Sequence, residues 1–245
     1  DDRFSLRGEA SKSVRIDDIE ELNPEGWYIF NIQQTGYYRV LYETENWNRI
    51  ILQLRNDPSP IHVLNRAALL DDIFVLAKAG YVKYELALEM TQYLTAEHDY
   101  IPWASILNHF DDLDRMIHSE EISRNLMKFI ASIIHEVYMT LGTSENNSRE
   151  EMLTKYARTL IVNWACRAGI EDCLSTVHEM FMEMLYEDVK IDVDLQSAVY
   201  CASLRTATDV EYSSFMGKLA QSVDQDERGR MIDALGCAVD EYNLM

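Results

Sequence analysis

The stretch that decides the fold is Ile61-His62-Val63-Leu64-Asn65-Arg66-Ala67-Ala68-Leu69-Leu70-Asp71-Asp72-Ile73-Phe74-Val75-Leu76-Ala77-Lys78-Ala79-Gly80. Its apolar residues recur every three to four positions, which is the period of an α-helix and not of a β-strand. Gly80 stands where a left-handed residue would end such a helix. The stretch therefore predicts a helix from Ile61 to Ala79, with an apolar stripe formed by Leu64, Ala67, Ala68, Phe74 and Val75.

The helical period continues on both sides of this stretch. Trp47, Ile50, Ile51 and Leu54 form one stripe that ends before Pro58, since proline breaks a helix. Further helices are predicted near residues 84–94, 102–117, 120–141, 149–168, 170–186, 194–205, 208–221 and 225–239. Helices joined by short connections pack antiparallel, and helix pairs in series stack into a solenoid. Since no strict repeat is present, we predict a mainly α chain forming an irregular HEAT-like α-α superhelix over residues 44–245; the alternative is a four-helix bundle with an appendage.

Residues 1–43 have a different pattern. Residues 27–32 and 37–42 are rich in aromatic and β-branched side chains, which favour β-strands. Gly36 lies between the two runs and is free to adopt the positive φ of a turn. We therefore predict a short β-hairpin. Two strands alone are marginally stable, so the hairpin is expected to pack on the helices or on strands outside this chain.

Composition excludes several classes of function. The 245 residues carry 22 basic and 42 acidic side chains, which gives a formal net charge of −20. Such a surface repels a phosphate backbone, so nucleic acid is excluded as a general partner. No run reaches the roughly 18 apolar residues of a membrane-spanning helix. The chain begins at Asp1 without an initiating methionine and stops at Met245 directly after a helical pattern, which indicates a piece of a larger protein.

Catalytic motifs are incomplete. A zinc-protease helix requires H-E-x-x-H, and neither His135-Glu136 nor His178-Glu179 is followed by the second histidine. Two acidic stretches lack the glycine and closing glutamate of an EF-hand and are interpreted as solvated helix caps: Asp111-Asp112-Leu113-Asp114 and Asp192-Val193-Asp194. No glycine-rich phosphate loop and no nucleophile elbow occurs. The sequence therefore predicts no catalytic, cofactor or metal residue in this chain.

All four cysteines, Cys166, Cys173, Cys201 and Cys237, lie in the last third of the chain. Four cysteines allow three pairings. In one continuous helix, Cys166 and Cys173 would be about 10.5 Å apart, beyond the limit of about 7 Å between bridged Cα atoms. A bridge between them therefore requires a helix break, which Gly169 supplies. The alternative is four reduced cysteines in helical cores.

One glycosylation sequon is present. Asn146-Asn147-Ser148 lies in the polar stretch 142–150, which makes Asn146 the candidate glycosylation site. A sequon in an exposed loop and paired cysteines both indicate a secreted or cell-surface protein.

Three stretches resemble a known family. The first resembles the junction between the β-sandwich and helical domains of aminopeptidase N-like zinc metallopeptidases, and the others extend the likeness, which covers the chain from about Gly26 onward. They are Asn31-Ile32-Gln33-Gln34-Thr35-Gly36-Tyr37-Tyr38-Arg39-Val40-Leu41-Tyr42 through Asn46-Trp47, Asn65-Arg66-Ala67-Ala68-Leu69-Leu70-Asp71-Asp72 through Ala77-Lys78-Ala79-Gly80, and Tyr93-Leu94-Thr95-Ala96-Glu97-His98-Asp99-Tyr100-Ile101-Pro102-Trp103.

The resemblance implies a domain division and a disulfide pairing. Residues 1–43 would be the end of a β-sandwich domain, and residues 44–245 a truncated C-terminal superhelical domain. The cysteine spacings are similar to those of the animal ectoenzymes of the family, which implies the pairs Cys166–Cys173 and Cys201–Cys237. The family's zinc ligands and catalytic glutamate lie upstream, so zinc is expected in the parent protein and not in this chain.

The resemblance also implies a function. The chain would be a non-catalytic part of a cell-surface zinc aminopeptidase that removes amino-terminal residues from peptides, and it would cap the chamber of the upstream catalytic domain. It is expected to be inactive alone and extracellular, with any membrane anchor outside the chain. One alternative is a protein-binding surface of that ectoenzyme, a receptor for a bacterial toxin or a virus. Another is an independent helical-repeat scaffold with free thiols.

Overall fold

The computed structural model describes residues 26–144 and 151–238. These residues form ten α-helices and no β-strand, so the prediction of a mainly helical chain is confirmed. Short 3₁₀ turns lie at Ile32–Gln34 and at Thr91–Ala96. The helices are α1 (Thr44–Asn56), α2 (Val63–Lys78), α3 (Tyr84–Met90), α4 (Tyr100–Met116), α5 (Glu120–Leu141), α6 (Met152–Arg167), α7 (Glu171–Glu187), α8 (Gln196–Leu204), α9 (Asp209–Gln221) and α10 (Gln225–Leu235).

The even-numbered helices contact one another in series. Helix α2 packs against α4, α4 against α6, α6 against α8, and α8 against α10. Helix α5 packs against the 3₁₀ turn Thr91–Ala96, which also contacts α1, and α7 packs against α9. One cluster of buried apolar side chains runs through these contacts. The chain is therefore built from helices stacked in sequence order, while the HEAT-like superhelix stays a prediction.

Two glycines end helices in the way that the sequence predicts. Gly80 follows α2 with φ +80°, and Gly169 follows α6 with φ +83°. In both cases the glycine and the residue after it donate backbone hydrogen bonds back into the last turn of the helix, which is the Schellman arrangement. Gly169 thereby reverses the chain between α6 and α7.

The apolar stripe predicted for α2 is only partly correct. Leu70 and Ile73 are completely buried, whereas Leu64, Ala68 and Val75 are half-buried. The reason is that α2 contacts α3, α4 and the turn Ile32–Gln34, so it has buried residues on several sides. In α1, which carries one stripe, Trp47, Ile50, Ile51 and Leu54 are all buried as predicted.

The predicted β-hairpin is not confirmed. Residues 26–43 contain no strand, and residues 1–25 of the predicted β-sandwich end lie outside the described residues. Several backbone donors that a strand ladder would use are bonded to side chains instead: the Phe30 N–H donates to the Tyr42 hydroxyl, and the Val40 N–H to Asp72. Gly36 does not have the positive φ that we expected, which occurs at Asn31, Gln33 and Gln34.

Candidate functional site at the junction of the amino-terminal segment and the helices

Residues 26–43, here called the amino-terminal segment, are fastened to the first two helices by two asparagines. Asn46 of α1 accepts a hydrogen bond from the Tyr28 N–H at 3.1 Å and donates one to the Tyr28 carbonyl at 2.9 Å. Asn65 of α2 accepts one from the Gln33 N–H at 2.6 Å. Because an amide side chain can donate and accept at once, it pairs with an extended backbone as another strand would.

The turn of the amino-terminal segment has an unusual backbone. Asn31, Gln33 and Gln34 have φ between 53° and 55°, a region that non-glycine residues seldom occupy. The Asn31 side chain holds the turn closed, since it donates to the carbonyls of Gly36 and Tyr38 and accepts from the Gly36 N–H. Such strain persists only where surrounding contacts enforce it, and it is concentrated at functional positions.

Four charged or titratable side chains meet where the segment crosses α2 and α4. Arg39 contacts Asp71 at 2.5 Å and Asp72 at 3.0 Å. The Nε2 atom of His109, on α4, lies 2.9 Å from the other oxygen of Asp71 and must donate, because a carboxylate only accepts. We call Arg39, Asp71, Asp72 and His109 the junction cluster; it joins the segment to two helices of the even series.

The two neighbouring carboxyl groups are shifted in opposite directions. The hydrogen bond from His109, and after it the Arg39 guanidinium, holds the pKa of Asp71 below its ordinary value against the effect of burial. Burial raises the pKa of Asp72, although the Val40 N–H and Arg39 oppose the shift. Asp71 is therefore the member of the pair whose ionised form the fold favours.

Replacing Asp71 by asparagine is expected to lower the free energy of unfolding by about 1 kcal/mol at pH 7. A carboxyl with a depressed folded-state pKa stabilises the fold above its unfolded-state pKa of about 3.9, and that contribution is lost as the pH falls through the folded-state pKa. The difference between wild type and Asp71→Asn should therefore shrink below about pH 4. Urea unfolding at several pH values measures it.

Asp112→Asn is the matched control for this prediction. Asp112 pairs with Lys78 at 2.9 Å, but both side chains are about half exposed. Solvent screens such a pair, so the control should change stability less at every pH. An Asp71→Asn protein whose deficit stays constant down to acid pH would contradict the prediction.

A cleft of about 520 Å³ opens between the amino-terminal segment and α2. Asn31, Tyr38 and Arg39 line it from the segment, and Asn65 and Asp72 line it from the helix. A second cleft, of about 440 Å³, lies between α4 and α6. Both clefts border helices of the even series.

The second cleft combines aromatic and polar groups. The rings of Tyr100 and Tyr156 lie 6.0 Å apart. The Arg167 guanidinium stacks 4.5 Å from the centre of the Trp164 ring and bonds to Asp111 at 2.7 Å. Rings that stack and fixed polar groups that orient a ligand are the usual components of a binding cleft.

The described residues do not fit a metal site. Within residues 26–144 and 151–238, no group of three His, Cys, Asp or Glu side chains could hold a metal ion. Asp111, Asp112 and Asp114 lie inside α4 and do not cap a helix, contrary to our interpretation. All three carboxylates form ion pairs with basic side chains. Arg167 pairs with Asp111 and Asp114, and Lys78 pairs with Asp112.

The structure pairs all four cysteines. Cys166 bonds to Cys173 with Cα atoms 5.2 Å apart, and Cys201 to Cys237 with Cα atoms 5.3 Å apart. This is the pairing that the resemblance implies. The first bridge joins the end of α6 to the start of α7 across Gly169, and the second joins α8 to the residues after α10. Asn146 lies outside the described residues.

One buried ion pair was not predicted from the sequence. Arg66 of α2 donates two hydrogen bonds to Glu97, of 2.7 and 3.0 Å. Both residues are buried, since Arg66 is 8% exposed and Glu97 is 2% exposed. Glu97 also accepts the backbone N–H of His98 and of Asp99. No local signal indicates the pair, because Glu97 is followed by His98 and Asp99 in a polar stretch. Their 31-residue separation concealed the pair.

None of the helices within the two described ranges has the length and apolarity needed to span a membrane.

Comparison with known proteins covers nearly the whole chain. Residues 27–244 match the ERAP1-like C-terminal domain family. Aminopeptidase N of Plutella xylostella is 33% identical over 93% of this chain and 24% of its own length. Human aminopeptidase N is 28% identical over 93% of this chain and 24% of its own length. The mouse thyrotropin-releasing hormone-degrading ectoenzyme is 28% identical over 93% of this chain and 22% of its own length.

The chain thus spans about a quarter of the length of these relatives. The resemblance to aminopeptidase N-like proteins that the sequence predicts is confirmed, and the chain belongs to the ERAP1-like C-terminal domain family.

Proposed function

We propose that this chain is the non-catalytic carboxy-terminal part of a cell-surface zinc aminopeptidase, in which it caps the chamber of the active site. The observation that carries the proposal is the family match over residues 27–244, with relatives that are named aminopeptidases and are about four times as long. The zinc and its ligands would belong to the upstream part of the parent protein. That part would remove amino-terminal residues from peptides, and this chain would contribute no reacting group.

The even-numbered helices supply the wall of the proposed chamber. Their contacts in series support an irregular HEAT-like superhelix, in which one layer of helices lines the concave side. The cleft between α4 and α6 borders this layer, and Tyr156 offers an aromatic ring that is half exposed. A peptide held at its amino terminus by the catalytic part would reach this wall only if it were long.

The amino-terminal segment is the proposed contact with the rest of the parent. Five of its large apolar side chains are exposed, and Tyr37 is fully so. Several large exposed apolar side chains within one short segment favour an interaction site there. In this proposal, residues 1–43 complete a β-sandwich domain of the same chain and the superhelix begins at residue 44. The exposed side chains are Phe30, Ile32, Tyr37, Tyr38 and Leu41.

An extracellular location is part of the proposal. Two disulfides favour an oxidising compartment, and a glycan at Asn146 would agree with it. One relative is itself named an ectoenzyme. The role of the exposed helices as a receptor surface for a bacterial toxin or a virus stays a prediction.

Tyr156→Ala in the full-length protein is expected to raise KM for a long peptide about fivefold, because it removes a stacking contact of about 1 kcal/mol. Hydrolysis of an amino-acid arylamide should not change, since so short a substrate cannot reach α6. Steady-state kinetics with both substrates measure this difference.

Tyr186→Ala is the matched control. Tyr186 on α7 is 53% exposed and Tyr156 is 48% exposed, but α7 is not in the even series. The control should leave KM unchanged for both substrates. Equal effects of the two variants, or zinc-dependent arylamide hydrolysis by this chain alone, would refute the proposed function.

A further inference from the structure

The two disulfides lie in different surroundings. Cys166 and Cys173 are buried, whereas Cys201 and Cys237 are both partly exposed. Disulfide exchange begins when an external thiolate reaches one of the two sulfurs. Within the described residues, the Cys201–Cys237 bridge is therefore the more accessible of the two.

A cation lies beside the partly exposed bridge. The Nη2 atom of Arg205 lies 3.9 Å from the Sγ atom of Cys201. Arg205 is partly buried. Burial, and after it the nearby Arg167, lowers the pKa of Arg205, while Asp114 opposes the shift, and the guanidinium remains charged. In the described ranges 26–144 and 151–238, no carboxylate forms an ion pair with it. A thiolate at Cys201 would lie directly against this cation, and a neighbouring cation stabilises a thiolate.

The surroundings of the buried Cys166–Cys173 bridge disfavour a thiolate. The Sγ atom of Cys173 lies 3.4 Å from the carbonyl oxygen of Val162. A thiolate there would face an electron-rich oxygen in a site without solvent, and burial disfavours the charged form.

We propose that Cys201–Cys237 is a site of thiol–disulfide exchange with an external dithiol, in which Arg205 stabilises the departing Cys201 thiolate. One thiolate of the dithiol attacks Sγ of Cys237; a new S–S bond forms, and the bond to Cys201 breaks. The second sulfur of the dithiol, as a thiolate, then attacks the first sulfur of the same dithiol. The bond from that first sulfur to Sγ of Cys237 breaks, and Cys237 leaves as a thiolate. The chain gains two electrons, and the dithiol is oxidised to its disulfide. The covalent tie between α8 and the end of α10 is then open. This inference does not rest on the proposed function.

The test is a dithiothreitol titration of the full-length protein, followed by alkylation with iodoacetamide and peptide mapping. Cys201 and Cys237 should become alkylated at a dithiothreitol concentration on the order of tenfold lower than Cys166 and Cys173. With a monothiol such as glutathione, the mixed disulfide should form on Cys237. Opening of both bridges at one concentration, or an adduct on Cys201, would overturn the proposal.

Two substitutions separate the charge of Arg205 from its packing. Arg205→Met should slow the opening of Cys201–Cys237 several-fold, and Arg205→Lys, which keeps the cation, should restore the rate. Cys166–Cys173 is the internal control, because a substitution that merely loosens the fold would speed the reduction of both bridges. An Arg205→Met protein that is reduced as fast as wild type refutes the role of Arg205.

Discussion

Glu97→Leu is expected to lower the free energy of unfolding by about 3 kcal/mol, because it leaves the buried Arg66 guanidinium without its main partner. Arg66 donates to both oxygens of Glu97, and its remaining donors reach the Ile61 carbonyl at 2.8 Å and the exposed Asp99 at 2.7 Å. Asp99 compensates in part, which keeps the loss at the low end of the range for a broken buried pair. Denaturant unfolding of the two proteins measures the difference.

The double variant Arg66→Met/Glu97→Leu is the control for this prediction. It replaces both charges by apolar side chains of similar size, so no unpaired charge stays buried, and it should recover much of the lost stability. A double variant as unstable as Glu97→Leu would show that packing, not the unpaired charge, causes the loss. A Glu97→Leu protein as stable as wild type would contradict the prediction outright.

Trp47→Ala is expected to cost about 3 to 5 kcal/mol, the usual range for deleting a large buried ring. Trp47 is completely buried in α1, and its ring meets the ring of Tyr42 edge to face at 4.9 Å between centres. This contact connects the amino-terminal segment to the helices. We expect the loss of helical signal in thermal unfolding to shift to lower temperature.

Trp47→Phe separates the ring from the indole nitrogen. Within residues 26–144 and 151–238, the Nε1 atom of Trp47 has no hydrogen-bond partner, so removing it breaks no bond. Phenylalanine keeps an aromatic ring against Tyr42 and should cost much less than alanine. Equal losses in the two variants would show that a phenyl ring cannot replace the packing of the indole, and would contradict this expectation.

The helices were predictable because their signals are local. Apolar period, proline breaks and terminal glycines act within a few residues, so the positions of α1 to α10 and the ends at Gly80 and Gly169 follow from short stretches of sequence. The requirement for a break between Cys166 and Cys173 follows from helix geometry alone. The pairing of all four cysteines came from the family resemblance.

The candidate site was much less predictable. The aromatic run in residues 27–42 indicates strands, but the side chains of Asn46, Asn65 and Asp72 take hydrogen bonds from the backbone that a second strand would otherwise receive. The acidic run from Asp111 to Asp114 indicated helix caps, yet its partners are on α2 and α6. Arg66 and Glu97 give no local sign of each other.

The sequence by itself determined the helical class, the order of the helices, two of their ends and the family. Only the tertiary structure decided which side chains meet: the junction cluster, the buried Arg66–Glu97 pair, and the place of Arg205 beside Cys201. The physical reason is the range of the interactions. Helix periodicity and capping depend on residues within about one turn, whereas ion pairs between helices depend on how separate segments pack. No short stretch of sequence contains that information.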